Sequence, residues 1–293
     1  MAERIDFRDQ ISANKWKSFF LMAVIFAFII ALAYAVSYAF DPGYFFTIMI
    51  FAIIFSIGYT YISYYFSDKI AIASVGAREA DRSQHRQYYN VVEGLTIASG
   101  LPMPKLCIMN SQQINAFASG RDPKHAVVCV TMGALDKLDR KELEGVLAHE
   151  LSHVADYDIR YMTLAAVMVG MIAIISQIFL RSMWFRSGDN RNNRNSAIFM
   201  FIGILLAILA PIAVKLVQLA ISRKREYTAD ATAVKFTRYP GGLISALKKI
   251  RDEAIPERRI SKAVAPLFFA SPIPEVLSTH PPIEKRIDVL EKM

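Results

Sequence analysis

The sequence predicts a mainly α-helical membrane protein with an α+β polar portion: four hydrophobic helices long enough to span a bilayer, and a remainder that carries a small β-sheet. Three observations predict it. Of 293 residues, 54% are hydrophobic, above the roughly 45–50% of ordinary globular chains. The excess is gathered into four long runs, and the segments between them hold short β-branched stretches split by Gly and Pro.

Residues 1–17 form a polar N-terminal segment. Ser18 to Phe40 and Tyr44 to Phe66 contain no charged residue and are separated by Asp41-Pro42-Gly43. Each is long enough for a hydrocarbon core about 30 Å thick, so residues 18–66 read as a transmembrane hairpin. The first run passes too directly into the second to be a cleaved signal peptide. Met162 to Leu180 and Ala197 to Ala220 make a second hydrophobic hairpin, residues 162–220, around the polar loop Arg181 to Ser196. Pro211 and Lys215 predict a kink in its second arm, with its last turns outside the lipid.

If all four segments span, both polar portions lie on one side with the N-terminal segment. That side carries Arg4, Arg8, Lys15 and Lys17, eleven Lys/Arg between Phe66 and Met162, and fourteen after Ala220. Such a bias marks the cytoplasmic side, which predicts a multi-pass protein of the plasma membrane. Arg181, Arg186, Arg191 and Arg194 oppose it. Either the second hairpin does not fully cross, or the first pair fixes the topology. The net charge of +8 sits mainly beside hydrophobic runs, which points to the bilayer as partner and excludes nucleic acid.

Within residues 67–161, Gly76 to Ala98 predicts a helix, and Lys105 to Asn110, Asn115 to Ser119 and Ala126 to Thr131 predict strands. Within 221–293, Arg223 to Arg238, Gly242 to Glu253 and Pro282 to Lys292 predict helices, the first broken off by Tyr239-Pro240-Gly241-Gly242. Cys107 and Cys129 stand in apolar stretches and read as buried core thiols, with no disulfide framework.

Ala148 to Val154 contains His-Glu-x-x-His. Asp139 and Glu142 predict a capping box, and Leu143, Val146, Leu147, Leu151 and Val154 recur at helical spacing. His149 and His153 then share one face, one turn apart, where two imidazoles can hold one metal ion; Glu150 beside them can take a proton from an activated water. With five His, chance placement yields this pattern about 0.003 times. A catalytic zinc needs a third protein ligand and an open position. Ile159 occupies the place of a third motif histidine, and Asp156 and Asp158 are expected to point away from the two-histidine face. Glu226, in Arg-Glu-Tyr-Thr-Ala-Asp, is the better ligand, with Asp230 one turn later accepting the free N–H of a ligand histidine.

These residues resemble the HtpX-type family of membrane zinc metallopeptidases, related to the CAAX prenyl proteases. The likeness runs through Pro104-Lys105, Asn115-Ala116-Phe117-Ala118-Ser119-Gly120-Arg121, Pro123-Lys124-His125-Ala126, Glu142 to His153, Ser222-Arg223 with Arg225-Glu226, and Thr279-His280-Pro281-Pro282 with Arg286. It implies a gluzincin-like catalytic domain split around the second hairpin, one Zn2+ per chain on His149, His153 and Glu226, and a stress-response role in protein quality control. The implied substrates are misfolded or damaged membrane proteins. Asn115, Ala116, Phe117 and Ala118 would be the edge strand that aligns them by β-addition. His280 and Arg286 match a C-terminal motif, with a transition-state and a structural role both open. Many relatives have Asn-x-Asp where this chain has Asp156-Tyr157-Asp158.

Two rival readings differ in testable ways. A site-2-type intramembrane protease would bury the motif in lipid and use a Leu-Asp-Gly ligand; Asp139-Arg140-Lys141-Glu142 is too charged for that, and no Leu-Asp-Gly occurs. A non-enzymatic holdase with a structural zinc would favour four Cys-rich ligands, and the chain has two Cys.

Overall fold

The computed structural model describes residues 7–40, 43, 45–166, 223–253, 268–269 and 281–293. Two long helices open the chain, α1 (Phe7–Phe40) and α2 (Phe45–Tyr65). Helix α1 starts well before Ser18 because no Gly or Pro interrupts residues 7–17. Ser12–Ala31 and Phe45–Tyr65 are, among the described residues, the two stretches long and apolar enough to cross a membrane. Phe46, Phe51, Ile54 and Phe55 of α2 are exposed, a surface that suits lipid and would be unfavourable in water. The third and fourth expected spans fall almost wholly outside the described residues, with 162–166 helical.

Helix α3 (Ser67–Val75) stops at Gly76, whose φ of 63° supplies a left-handed cap. Strand β1 (Arg78–Glu79) and helix α4 (Arg86–Ser99) follow, which corrects the single helix expected over Gly76 to Ala98. Ala80 N–H bonds Leu106 O at 2.9 Å, and the Asp81 carboxylate accepts Ser83 N–H at 2.7 Å. Sheet pairing and an Asx turn thus claim the backbone before a helix can begin.

Strands β2 (Lys105–Met109), β3 (Ala116–Gly120) and β4 (Ala126–Thr131) complete a mixed sheet of order β1-β2-β4-β3, with β2 parallel to β4 and the other pairs antiparallel. Alternate side chains go to two cores. Leu106, Ile108, Ala116, Ala118, Val128 and Val130 join a cluster with residues of α4 and of α6 (Arg140–Ala155). Cys107, Met109, Phe117, Val127 and Cys129 join Leu21, Ile25 and Ile29, a stripe on α1. Burial on both faces explains the continuous apolar runs, and both cysteines are buried and free.

A short helix, α5 (Met132–Lys137), leads into α6, whose capping box pairs Asp139 with Glu142. Two helices later in the chain pack on it, α7 (Arg223–Thr237) and α8 (Gly241–Asp252), and α9 (Ile283–Leu290) packs on both of these. Helix α8 docks on α6 through the Glu142 carboxylate, which accepts from Ser245 Oγ and Lys249 Nζ, each at 2.6 Å. A Cβ on Gly145 would lie 2.6 Å from Leu243 N, so only glycine permits that approach.

Candidate active site

Helix α6 is buried along nearly its whole length, so its two histidines are held by packing on the sheet, α4, α7 and α8. His149 Nε2 and His153 Nε2 lie 3.2 Å apart. Glu226, in the first turn of α7, brings Oε2 to 3.6 Å from His149 Nε2 and Oε1 to 3.7 Å from His153 Nε2. All three ligand atoms fall within 4.8 Å of one another. Bonds of about 2.0–2.2 Å to a tetrahedral zinc would set such atoms about 3.3–3.6 Å apart. The donor set therefore fits the ion.

The surrounding charges fit it as well. Glu150, Asp158, Glu226 and Asp230 are buried carboxylates faced by the guanidinium groups of Arg225 and Arg286. The surplus of buried negative charge is one that a divalent cation would neutralise.

Asp230, one turn after Glu226, meets His149 Nδ1 at 2.9 Å through Oδ1. Arg286 of α9, 1% exposed, donates Nε to Asp230 Oδ2 at 2.9 Å and one terminal N–H to Oδ1 at 2.7 Å. Burial alone would raise the Asp230 carboxyl, but Arg286 and His149 hold it below the usual carboxylate range. An ionised Asp230 can accept an N–H from His149 Nδ1 and so leave Nε2 turned toward His153 and Glu226. His280 lies outside the described residues.

The expectation that Asp158 points away from the histidines is corrected. Tyr157 adopts a left-handed φ of 60°, which ends α6 abruptly and turns the chain back. Asp158 Oδ2 then reaches His153 Nδ1 at 3.2 Å, and Arg225 reaches Asp158 Oδ1 at 2.9 Å. Asn14 of α1 donates to the same Oδ1 at 2.7 Å. Sequence reasoning missed Asn14 altogether; the signal was an amide at helical spacing from Ser18, Leu21, Ile25 and Ile29.

The Glu150 carboxyl is pushed up by burial and by the Glu226 charge, while His149, His153 and a hydrogen bond from Ala118 N–H pull it down. That bond ties Glu150 to β3, the edge strand of the sheet. Asn115, Ala116, Phe117 and Ala118 are all buried. Ala116 O accepts from Phe269 N at 2.8 Å, and the Phe269 ring stands 4.9 Å from the His149 ring. Ala116 and Ala118 thus turn their backbone groups away from β4, as alternate residues of an edge strand do. Sequence reasoning also missed Phe269, which covers this edge at Ala116.

Residues 82–293 match the model of peptidase family M48. The protease HtpX homolog of Caldanaerobacter subterraneus subsp. tengcongensis is 43% identical in an alignment 292 positions long that covers 97% of this chain and 97% of its own. That of Dictyoglomus thermophilum is 43% identical over 98% of this chain and 95% of its own. The crystal structure of S. mikatae Ste24p superposes on 97% of this chain and 67% of its own, with a TM-score of 0.50 and 18% identity, a likeness of fold. Near-full-length relatedness, a buried His-Glu-x-x-His helix and two apolar membrane-length helices lead to one conclusion: the chain belongs to peptidase family M48 and is a membrane metalloprotease.

Proposed function

We propose that this protein is a zinc-dependent endopeptidase of the plasma membrane that cleaves misfolded or damaged membrane proteins on the cytoplasmic side, as part of protein quality control. The observation that carries the reading is the convergence of His149, His153 and Glu226 within 4.8 Å, next to a buried Glu150. Those three residues would hold the zinc, which supplies Lewis acidity that activates an attacking water near neutral pH and polarises the scissile carbonyl.

Glu150 is the general base. It accepts the water proton as attack begins and delivers it to the leaving amine, and burial, by raising its carboxyl, brings its proton affinity closer to that task. Asp230 and Asp158 fix the Nδ1–H tautomers of His149 and His153, and Arg286 keeps Asp230 ionised and aimed. Substrate adds as a strand along Asn115 to Ala118, beside the base, and competes with Phe269 for the Ala116 carbonyl. A gluzincin-like domain on four membrane segments, with its basic faces toward the cytoplasm, would set this site where loops of damaged membrane proteins emerge.

The test is cleavage of casein, and of a misfolded membrane protein in proteoliposomes, by the full chain with zinc and with a chelator. Cutting is expected with zinc, abolished by chelation, and reduced about 10²–10⁴-fold in Glu150→Gln at unchanged zinc content. Undiminished cutting by Glu150→Gln would refute the assignment of the base. Cleavage confined to the face opposite the N-terminus would refute the topology.

A further inference from the structure

We propose that Asn14 is a positioning residue for the metal centre, through which the first membrane helix holds His153 in its ligand orientation; this rests on the zinc reading above. Asn14 lies on the stripe of α1 that continues with Ser18, Leu21, Ile25 and Ile29, all buried. Its own exposure is 4%. A buried amide is unfavourable among apolar side chains unless its N–H groups are bonded. Both are: Nδ2 donates to Asp156 O at 2.8 Å and to Asp158 Oδ1 at 2.7 Å.

The second bond matters for chemistry. Asp158 Oδ2 meets His153 Nδ1 at 3.2 Å, a contact that orients the ring so that Nε2 faces His149 and Glu226. Arg225 draws on the same Oδ1 from another direction at 2.9 Å. Without Asn14, only Arg225 would hold that oxygen, and the carboxylate could swing away from His153.

A second residue of α1 touches the same turn, with Lys15 Nζ 4.8 Å from the centre of the Tyr157 ring. The two ligand histidines thus have different supports. His149 is braced inside the catalytic domain by Asp230 and Arg286, while His153 is braced through Asp158 by a helix that enters the membrane.

The test compares zinc affinity, by competition with a chromophoric chelator, for the full-length protein in micelles and for Asn14→Ala, Asn14→Asp and Leu21→Ala. Loss of such an outer contact weakens metal binding by about 10–100-fold when the contact is direct. For this one-step-removed contact we expect about tenfold in Asn14→Ala, more in Asn14→Asp, and no change in Leu21→Ala, with casein cleavage recovering in saturating zinc. The d–d spectrum of cobalt-loaded Asn14→Ala should shift, and that of Leu21→Ala should not. If the alanine variant fails to fold, Asn14→Ser takes its place, since one hydroxyl cannot make both bonds. Unchanged affinity in Asn14→Ala or Asn14→Ser, or equal weakening in Leu21→Ala, would overturn the inference. A wild-type chain that binds no zinc would instead sink the zinc reading itself.

Discussion

Replacing Arg286 by Met tests the electrostatic frame of the site. Arg286 is 1% exposed, clasps Asp230 through bonds of 2.9 and 2.7 Å, and stands 3.9 Å from Glu226 Oε2. Burial opposes its charge, but Asp230 and then Glu226 and Glu150 hold its pKa above the ordinary value. Methionine fills part of the same space and leaves Asp230 as a buried carboxylate without its cation. Breaking a buried pair in this way costs about 3–5 kcal/mol, a large share of the roughly 5–15 kcal/mol that holds a fold together. At about 2–4 °C per kcal/mol for a chain of roughly this size, the metal-free protein should melt about 6–20 °C lower. Thermal unfolding in chelator isolates this from zinc binding. Asp230→Asn combined with Arg286→Met should cost less than the sum of the two single changes, because neither charge is then stranded. A shift within 2 °C of wild type, or strict additivity of the pair, would refute the reasoning.

Asp230→Asn alone removes the carboxylate that orients His149. Zinc affinity should fall about 10–100-fold, measured by chelator competition, with casein cleavage following zinc occupancy. Gly145→Ala places a methyl group 2.6 Å from Leu243 N and 2.8 Å from its Cα. Helix α8 must back away at a cost of about 1–3 kcal/mol, readable as a lower melting temperature. Glu142 carries a pH dependence: burial would raise its carboxyl, but Lys249, Ser245 and the Asp139 N–H hold it below 4.5. A carboxyl depressed in the fold stabilises above its unfolded value and stops doing so as pH falls through the folded one. Glu142→Gln should therefore melt lower than wild type at pH 7, with the gap narrowing as the pH falls below about 4.5; a gap that stays unchanged on acidification would contradict this.

Whatever is periodic within one element was legible beforehand. β2 and β3 fell within a residue of expectation, and β4 matched it, because Gly and Pro punctuate apolar runs there. The α6 cap was legible because Asp139 and Glu142 carry their own partners three residues apart. The helix expected over Gly76 to Ala98 failed for a tertiary reason. Helix formers cannot hold residues 78–80 once β1 is claimed by β2, and that pairing is invisible to a local window.

Within the site, the division follows chain distance and backbone freedom. His149, Glu150 and His153 announce themselves by spacing on one helix. Glu226 could be inferred because a zinc with two histidines lacks a ligand, an argument from coordination number that needs no geometry. Asp158 defeated that logic. A helix continued past Ala155 would carry it off the histidine face, and only the left-handed Tyr157 returns it. An αL tyrosine costs about 1–2 kcal/mol, so sequence statistics argue against it; the hydrogen bond from Asn14 and the ion pair of Arg225 with Asp158, together with the ring contact from Lys15, supply the compensation. Asn14 lies 144 residues from Asp158, beyond any pattern a single sequence displays. The strained turn and the distant amide explain each other: the turn is kept because α1 satisfies it, and α1 keeps a buried amide because the turn presents two acceptors.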